Sequence, residues 1–157
     1  MINYKSPKPF PFLPQGCEIV YVAKDNQFIL EAKKIAMANG CTKQATGAVI
    51  VIKNKIVASG TNAGIRVAVC PRVIEKCPTG TGYHHCKTIC QQEGHAEEQA
   101  CKDFLAKKLD PTNATIYLWG HWWCCTNCWT WMQKLGLAKV HLPEGATEDF
   151  DLDASKA

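Results

Sequence analysis

The chain has 157 residues, 46% of them hydrophobic, with ten cysteines and a net charge of +4. That length suits one domain with a real core, since about 150 residues can bury roughly 70% of their unfolded surface, and the ordinary hydrophobic fraction argues against wholesale disorder. No uncharged apolar run reaches about 18 residues, so no membrane helix is expected. The proline-rich opening lacks the apolar stretch of a secretory signal, and the expected setting is the cytoplasm, with cysteines reduced or bound to metal.

The elements follow in chain order. Residues 1–16 hold four of the eight prolines and read as an extended arm. Glu18–Ala23 is rich in β-formers and reads as a short strand. Asp25 is a candidate cap for a helix to Asn39, with Phe28, Ile29, Ala32, Ile35 and Ala36 on one face and Gly40 closing it. Gly47–Ile52 and Ile56–Ser59 are β-rich runs split by Lys53-Asn54-Lys55, the pattern of a hairpin. Residues 65–93 have little periodicity and read as a cysteine-rich insert, which needs something to tie it down. His95–Leu109 reads as a helix, Ala114–Trp119 as a strand, Cys125–Leu135 as a helix stopped by Gly136, and Ala138–Leu142 as a strand. The last two strands flank a helix and should run parallel. The fold class expected is α/β, a three-layer α/β/α sandwich on a mixed sheet over residues 17–143. Residues 144–157 hold Glu144, Glu148, Asp149, Asp151 and Asp153 against one lysine and read as a mobile acidic tail. The rest of the chain is correspondingly more basic. That fits a phosphate-bearing or polyanionic substrate, and equally a solvated surface.

Chemistry concentrates at two helix starts. His95-Ala96-Glu97 opens one helix and Cys125-Thr126-Asn127-Cys128 the next, with a strand between them. Two cysteines at i and i+3 share one helix face, so both sulfurs can reach one ion. Helix N-terminal amides favour the thiolates that bind metal. One histidine and two cysteines give tetrahedral zinc three protein ligands and leave a position for water, whose pKa such an ion lowers. In mid-helix Glu97 would face about 200° away from His95. In the first turn both side chains can lean toward the open end, where a carboxylate can shuttle a proton. Glu98, at i+3 from His95, is the alternative acid–base residue or a solvated helical carboxylate.

This pattern resembles the zinc-dependent nucleobase deaminase superfamily, H-x-E followed by P-C-x-x-C, and within it the cytidine/deoxycytidylate deaminase branch. The likeness runs over about Phe28–Leu142 and includes Thr46-Gly47-Ala48-Val49-Ile50-Val51 and Gly60-Thr61-Asn62-Ala63. It implies zinc on His95, Cys125 and Cys128, proton transfer by Glu97, and substrate contacts at Asn62 and Ala96. The implied reaction is hydrolytic loss of ammonia from C4 of a cytosine nucleotide (dCMP- or CMP-like), giving uracil. It also implies a homo-oligomer. Two other readings stand beside it: a nucleic-acid deaminase acting on tRNA or single-stranded DNA, and a non-catalytic zinc-stabilised binding domain on the same fold. A membrane partner is not expected.

The sequence departs from the pattern at several points. Cys124 stands in place of the proline, and Cys124 with Cys128 is a competing ligand register; the C-x-x-C spacing favours Cys125. The stretch before Cys125 is about two residues longer than usual and carries His121, Trp122 and Trp123. The tryptophans are candidates to stack on a base or to fill the core, and His121 to touch substrate or phosphate. In the insert, Cys70, Cys77, Cys86 and Cys90 with His84 and His85 are candidates for a second, structural zinc. Free thiols and disulfides are the alternatives. Arg66, Arg72 and Lys43 are candidate phosphate ligands. The superfamily usually adds a helix and strand after the position of Leu142. None is legible here, so Glu18–Ala23 is expected to supply the edge strand.

Overall fold

The computed structural model describes residues 3–39, 44–62 and 95–151. Lys43, Arg66, Arg72 and all six second-zinc candidates (Cys70, Cys77, His84, His85, Cys86 and Cys90) lie outside the described residues. The elements are β1 (Glu18–Val22), α1 (Gln27–Asn39), β2 (Gly47–Ile52), β3 (Lys55–Thr61), α2 (Ala96–Ala106), β4 (Thr115–Trp119), α3 (Thr126–Lys134), β5 (Lys139–Pro143) and α4 (Ala146–Phe150). The strands form one mixed sheet in the order β1-β5-β4-β2-β3. This is the α/β sandwich expected from the sequence.

Strand periodicity sorts the side chains into two layers. Ala48 and Ile50 of β2 join Ile116 and Leu118 of β4 under Ala96, Ala100 and Phe104 of α2 and Cys128, Trp129 and Met132 of α3. Val49 and Val51 face the other way, onto Phe28 and Ala32 of α1. The α1 cap is Asn26 rather than Asp25. Its Oδ1 accepts from the Phe28 and Ile29 amides at 2.9 and 3.3 Å, the usual bond pattern of an N-cap side chain. Lys53 and Asn54 both take positive φ, 50° and 65°, the backbone a two-residue hairpin turn requires.

The two sheet edges are closed differently. At β3, helix α2 reaches over the open edge: the Ser59 amide donates to Asp103 at 3.0 Å, and Lys107 donates to the Val57 carbonyl at 3.0 Å. At the opposite edge, β1 pairs in parallel with β5, Glu18 beside Lys139 through Val22 beside Pro143. The N-terminal segment thus supplies the fifth strand. β4 also runs parallel to β5, as the crossover rule requires.

The acidic segment is not a loose tail over its described length. Ala146–Phe150 is helical, and Ala146, Thr147 and Asp151 are buried. The arm holds it there. Tyr4 donates to Glu148 at 2.6 Å, the Ser6 and Thr147 hydroxyls bond at 2.8 Å, and Lys8 pairs with Asp151. Tyr4, Ser6 and Lys8 lie more than 140 positions from these partners, which no local reading detects. Among the described residues, no helix is long and apolar enough to cross a membrane.

Candidate metal centre and substrate pocket

Strand direction gathers the site at one end of the sheet. β2 is antiparallel to both β3 and β4, and Gly47, its first residue, pairs with Thr61 and with Trp119, the last residues of those strands. Thr46, Asn62 and Gly120 therefore converge. Asn62 ties the corner together: its Oδ1 accepts from the Thr46 amide at 3.0 Å and its Nδ2 donates to the Gln44 carbonyl at 2.7 Å. Gln44 Nε2 donates to the Gly120 carbonyl at 3.2 Å. Gly120 sits at φ +106°, and a Cβ there would fall 2.1 Å from the Ala45 oxygen, so only glycine fits.

Two helix starts enter the same corner. His95 and Cys125 are the N-caps of α2 and α3, both with extended backbone (φ −78°, ψ 165° and φ −75°, ψ 170°) and neither making a side-chain cap bond. Their carbonyls accept the first helical bonds, from Gln99 and Trp129 at 3.0 Å each. Their side chains are thus directed at each other rather than at their own helices. Gly60 allows α2 this close to the sheet, since a Cβ on it would lie 2.3 Å from the Ala100 nitrogen.

The result is a compact donor triangle. Cys125 Sγ lies 3.3 Å from Cys128 Sγ, and His95 Nδ1 lies 3.4 Å from each sulfur. Tetrahedral zinc, with bonds of roughly 2.3 Å to sulfur and 2.0 Å to nitrogen, sets these separations at roughly 3.8 and 3.5 Å. Two sulfurs and an imidazole at such distances fit that ion. The Cys128 thiol, followed by His95, pulls the Cys125 pKa down to about 4, against the opposing effect of burial. Cys125 is therefore held as a thiolate, the form that ligates metal.

Glu97 is buried beside the triangle, and burial pushes its carboxyl above the usual range. Its position at the second residue of α2 explains how a two-residue offset from His95 keeps both groups in one site. Cys124 stays out of the donor triangle. It is fully buried, and its thiol is pushed well above its ordinary range, first by burial and then by the charge of Glu97, to which the S–H donates.

A cavity with about 440 Å³ of empty volume, part of it open to solvent, lies over these groups. Its floor is His95, Ala96, Glu97 and Cys125, and its walls are Gln44, Thr46, Asn62, His121 and Trp123. Of the substrate candidates, Asn62, Ala96, His121 and Trp123 all border it. Trp122 does not: it is 4% exposed and packs in the core against Phe10 and under Lys8. One residue of offset in an irregular loop sends the two indoles in different directions. His121 Nδ1 accepts from the amides of Trp122 and Trp123 at 3.0 and 3.2 Å, and its ring meets Trp123 edge to face at 5.6 Å. Gln44 and Thr46 were not anticipated. Their signal was the strand register, which sets the residues before β2 beside the ends of β3 and β4.

The family comparison matches residues 22–143 to the cytidine and deoxycytidylate deaminase zinc-binding region. The chain belongs to this family. Among solved structures it is similar to the dCMP deaminase of cyanophage S-TIM5. For the apo form the identity is 18%, with a TM-score of 0.51, 78% of this chain and 86% of the other covered. For the form in complex with dCMP and dUMP the identity is 17%, with a TM-score of 0.50, 80% and 86% covered. At that identity the likeness is one of fold. No curated protein sequence matches the chain. The family's zinc-binding region contains both helix starts, and the His95, Cys125 and Cys128 group fits that ion.

Proposed function

We propose that the protein is a zinc-dependent hydrolytic deaminase that converts the cytosine of a free nucleotide, dCMP- or CMP-like, to uracil and releases ammonia. The observation that carries this reading is a buried carboxyl, Glu97, opening on the same cavity as the His95–Cys125–Cys128 group. His95, Cys125 and Cys128 would hold the zinc, which when bound supplies Lewis-acid activation of water. Glu97 accepts a proton from the attacking water and returns it to the ring N3; it then carries the proton of the added hydroxyl to the C4 amine, whose C–N bond breaks as the C4 carbonyl forms. Water adds one oxygen and two hydrogens, and ammonia carries away the nitrogen. The raised pKa of Glu97 suits a group that must hold a proton between these steps.

Trp123 supplies an aromatic wall, and Asn62 and Gln44 a polar one. The cyanophage dCMP deaminase, captured with dCMP and dUMP, supports a nucleotide as the substrate class. The test is turnover by zinc-loaded protein of dCMP, CMP, deoxycytidine, cytidine, a cytosine-containing single-stranded DNA and a tRNA, read by ammonia release and product mass. Reaction of the free nucleotides supports the proposal. Reaction of the polymers alone assigns a nucleic-acid deaminase, and no reaction with zinc bound assigns a binding domain.

A further inference from the structure

Glu98 follows Glu97 but does not share its surroundings. It is 8% exposed, and both carboxylate oxygens are engaged: Oε1 accepts from the side-chain Nδ2 of Asn127, and Oε2 pairs with Lys102 at 2.8 Å. It does not border the cavity over Glu97. Burial works to raise its pKa, and the bonds from Lys102 and Asn127 outweigh that, keeping the carboxyl below its ordinary range. It is therefore a charged acceptor, not a second proton shuttle. Asn127 sits between Cys125 and Cys128 in the first turn of α3, and Glu98 occupies the first turn of α2, three residues after His95. Their bond joins the first turns of the two helices that carry the donor triangle. Lys102, one turn along α2, balances the charge this bond puts in a nearly dry place.

We infer that Glu98 and Asn127 form a clamp that fixes the spacing of the two ligand-bearing helix starts, and so sets the affinity of the site for zinc. The inference rests on the zinc-site reading above. The donor atoms come from segments about 30 residues apart, and metal affinity depends on having them already in place. A hydrogen bond to a charged acceptor, shielded from water, is among the stronger polar contacts available for that purpose. The clamp acts through the helix starts, so both residues are positioning residues and not catalytic ones.

The experiment is zinc affinity by chelator competition on the full chain, with the absorption spectrum of the cobalt(II)-loaded form and circular dichroism of the metal-free form as companions. Asn127→Ala and Glu98→Ala are each expected to weaken zinc binding about 10–100-fold. Glu98→Gln keeps an acceptor for Asn127 and is expected to recover most of that loss. The double alanine variant should be no weaker than the worse single, because both remove one shared contact. The cobalt spectrum of Asn127→Ala should shift from the wild-type position, which a general loss of stability would not cause in protein that remains folded. Wild-type affinity in Asn127→Ala, or additive losses in the double variant, would overturn the clamp. Failure of the wild type itself to bind zinc would instead reject the zinc site. If the alanine variants do not fold, Glu98→Gln against Glu98→Asp decides: Asp is too short to reach Asn127 and should bind zinc more weakly than Gln, and the reverse order overturns the proposal.

Discussion

The two halves of the molecule are assembled by different means. The site half (β2, β3, β4, α2 and α3) is held by close backbone approach and by short links, such as Asn62 to the Gln44–Thr46 turn. The edge half (the arm, β1, β5 and α4) is held by side chains meeting across almost the whole chain: Tyr4 to Glu148, Ser6 to Thr147, Lys8 to Asp151 and Lys24 to Asp149. Chemistry sits where close backbone approach at Gly60 and Gly120 is combined with side-chain links from Asn62 and Glu98. Closure of the sheet is left to polar contacts that bring the two described ends of the chain together.

The sharpest way to separate the halves uses two neighbouring tryptophans. Trp122 belongs to the edge half through Phe10 and Lys8. Trp122→Ala is expected to cost about 3–5 kcal/mol of stability in urea unfolding. Trp123 belongs to the cavity. Its ring is only partly buried against the same core, so Trp123→Ala is expected to cost clearly less stability than Trp122→Ala while raising KM about tenfold, through the lost stacking surface. Equal stability losses from both would erase the distinction.

A smaller effect probes the arm. The Asp151 side chain is 1% exposed and paired with Lys8, whose own side chain is 45% exposed. Lys8→Ala should destabilise by about 1–3 kcal/mol, because a buried carboxylate loses its counter-charge. Lys8→Ala combined with Asp151→Asn should recover part of that loss. No recovery would show that the arm contributes by packing alone.

The smallest effect is a pH slope from the edge half. His141 on β5 is stacked on Tyr117 and bonded to the Ile116 carbonyl at 3.1 Å. Burial lowers its pKa below the ordinary 6.5. As pH falls, the unfolded chain takes up this proton before the folded one. The contribution of His141 to stability is therefore complete above about pH 6.5 and lost as pH falls through the folded value. Urea unfolding from pH 7.5 to 5 should show a shallower loss in His141→Gln than in wild type; identical slopes would place the acid sensitivity elsewhere.

The same division governs what the sequence made legible. The helix starts could be read because H-x-E and C-x-x-C are local patterns with a chemical reason for their spacing, and the first-turn position of Glu97 follows from His95 being the cap. Asn62 came from the resemblance. Gln44 and Thr46 did not come at all, because their role depends on strand register. The edge strand is legible as the run of β-formers at Glu18–Ala23. The docking of α4 was missed, since its acids read as solvated until Tyr4, Ser6, Lys8 and Lys24 are brought to them. Trp122 and Trp123 were indistinguishable as letters. Glu98 could be read as a proton shuttle or a solvated carboxylate, and its bond to Asn127 across 29 positions makes it neither.

The central claim is that Glu97 moves the proton in a zinc-dependent deamination of a cytosine nucleotide. Its most direct test is steady-state turnover of dCMP by wild type and Glu97→Gln, with zinc content measured in the same samples. Equal zinc in both, and a kcat about 10²–10⁴-fold lower in the variant, are expected. Equal turnover by the two zinc-loaded proteins would contradict it.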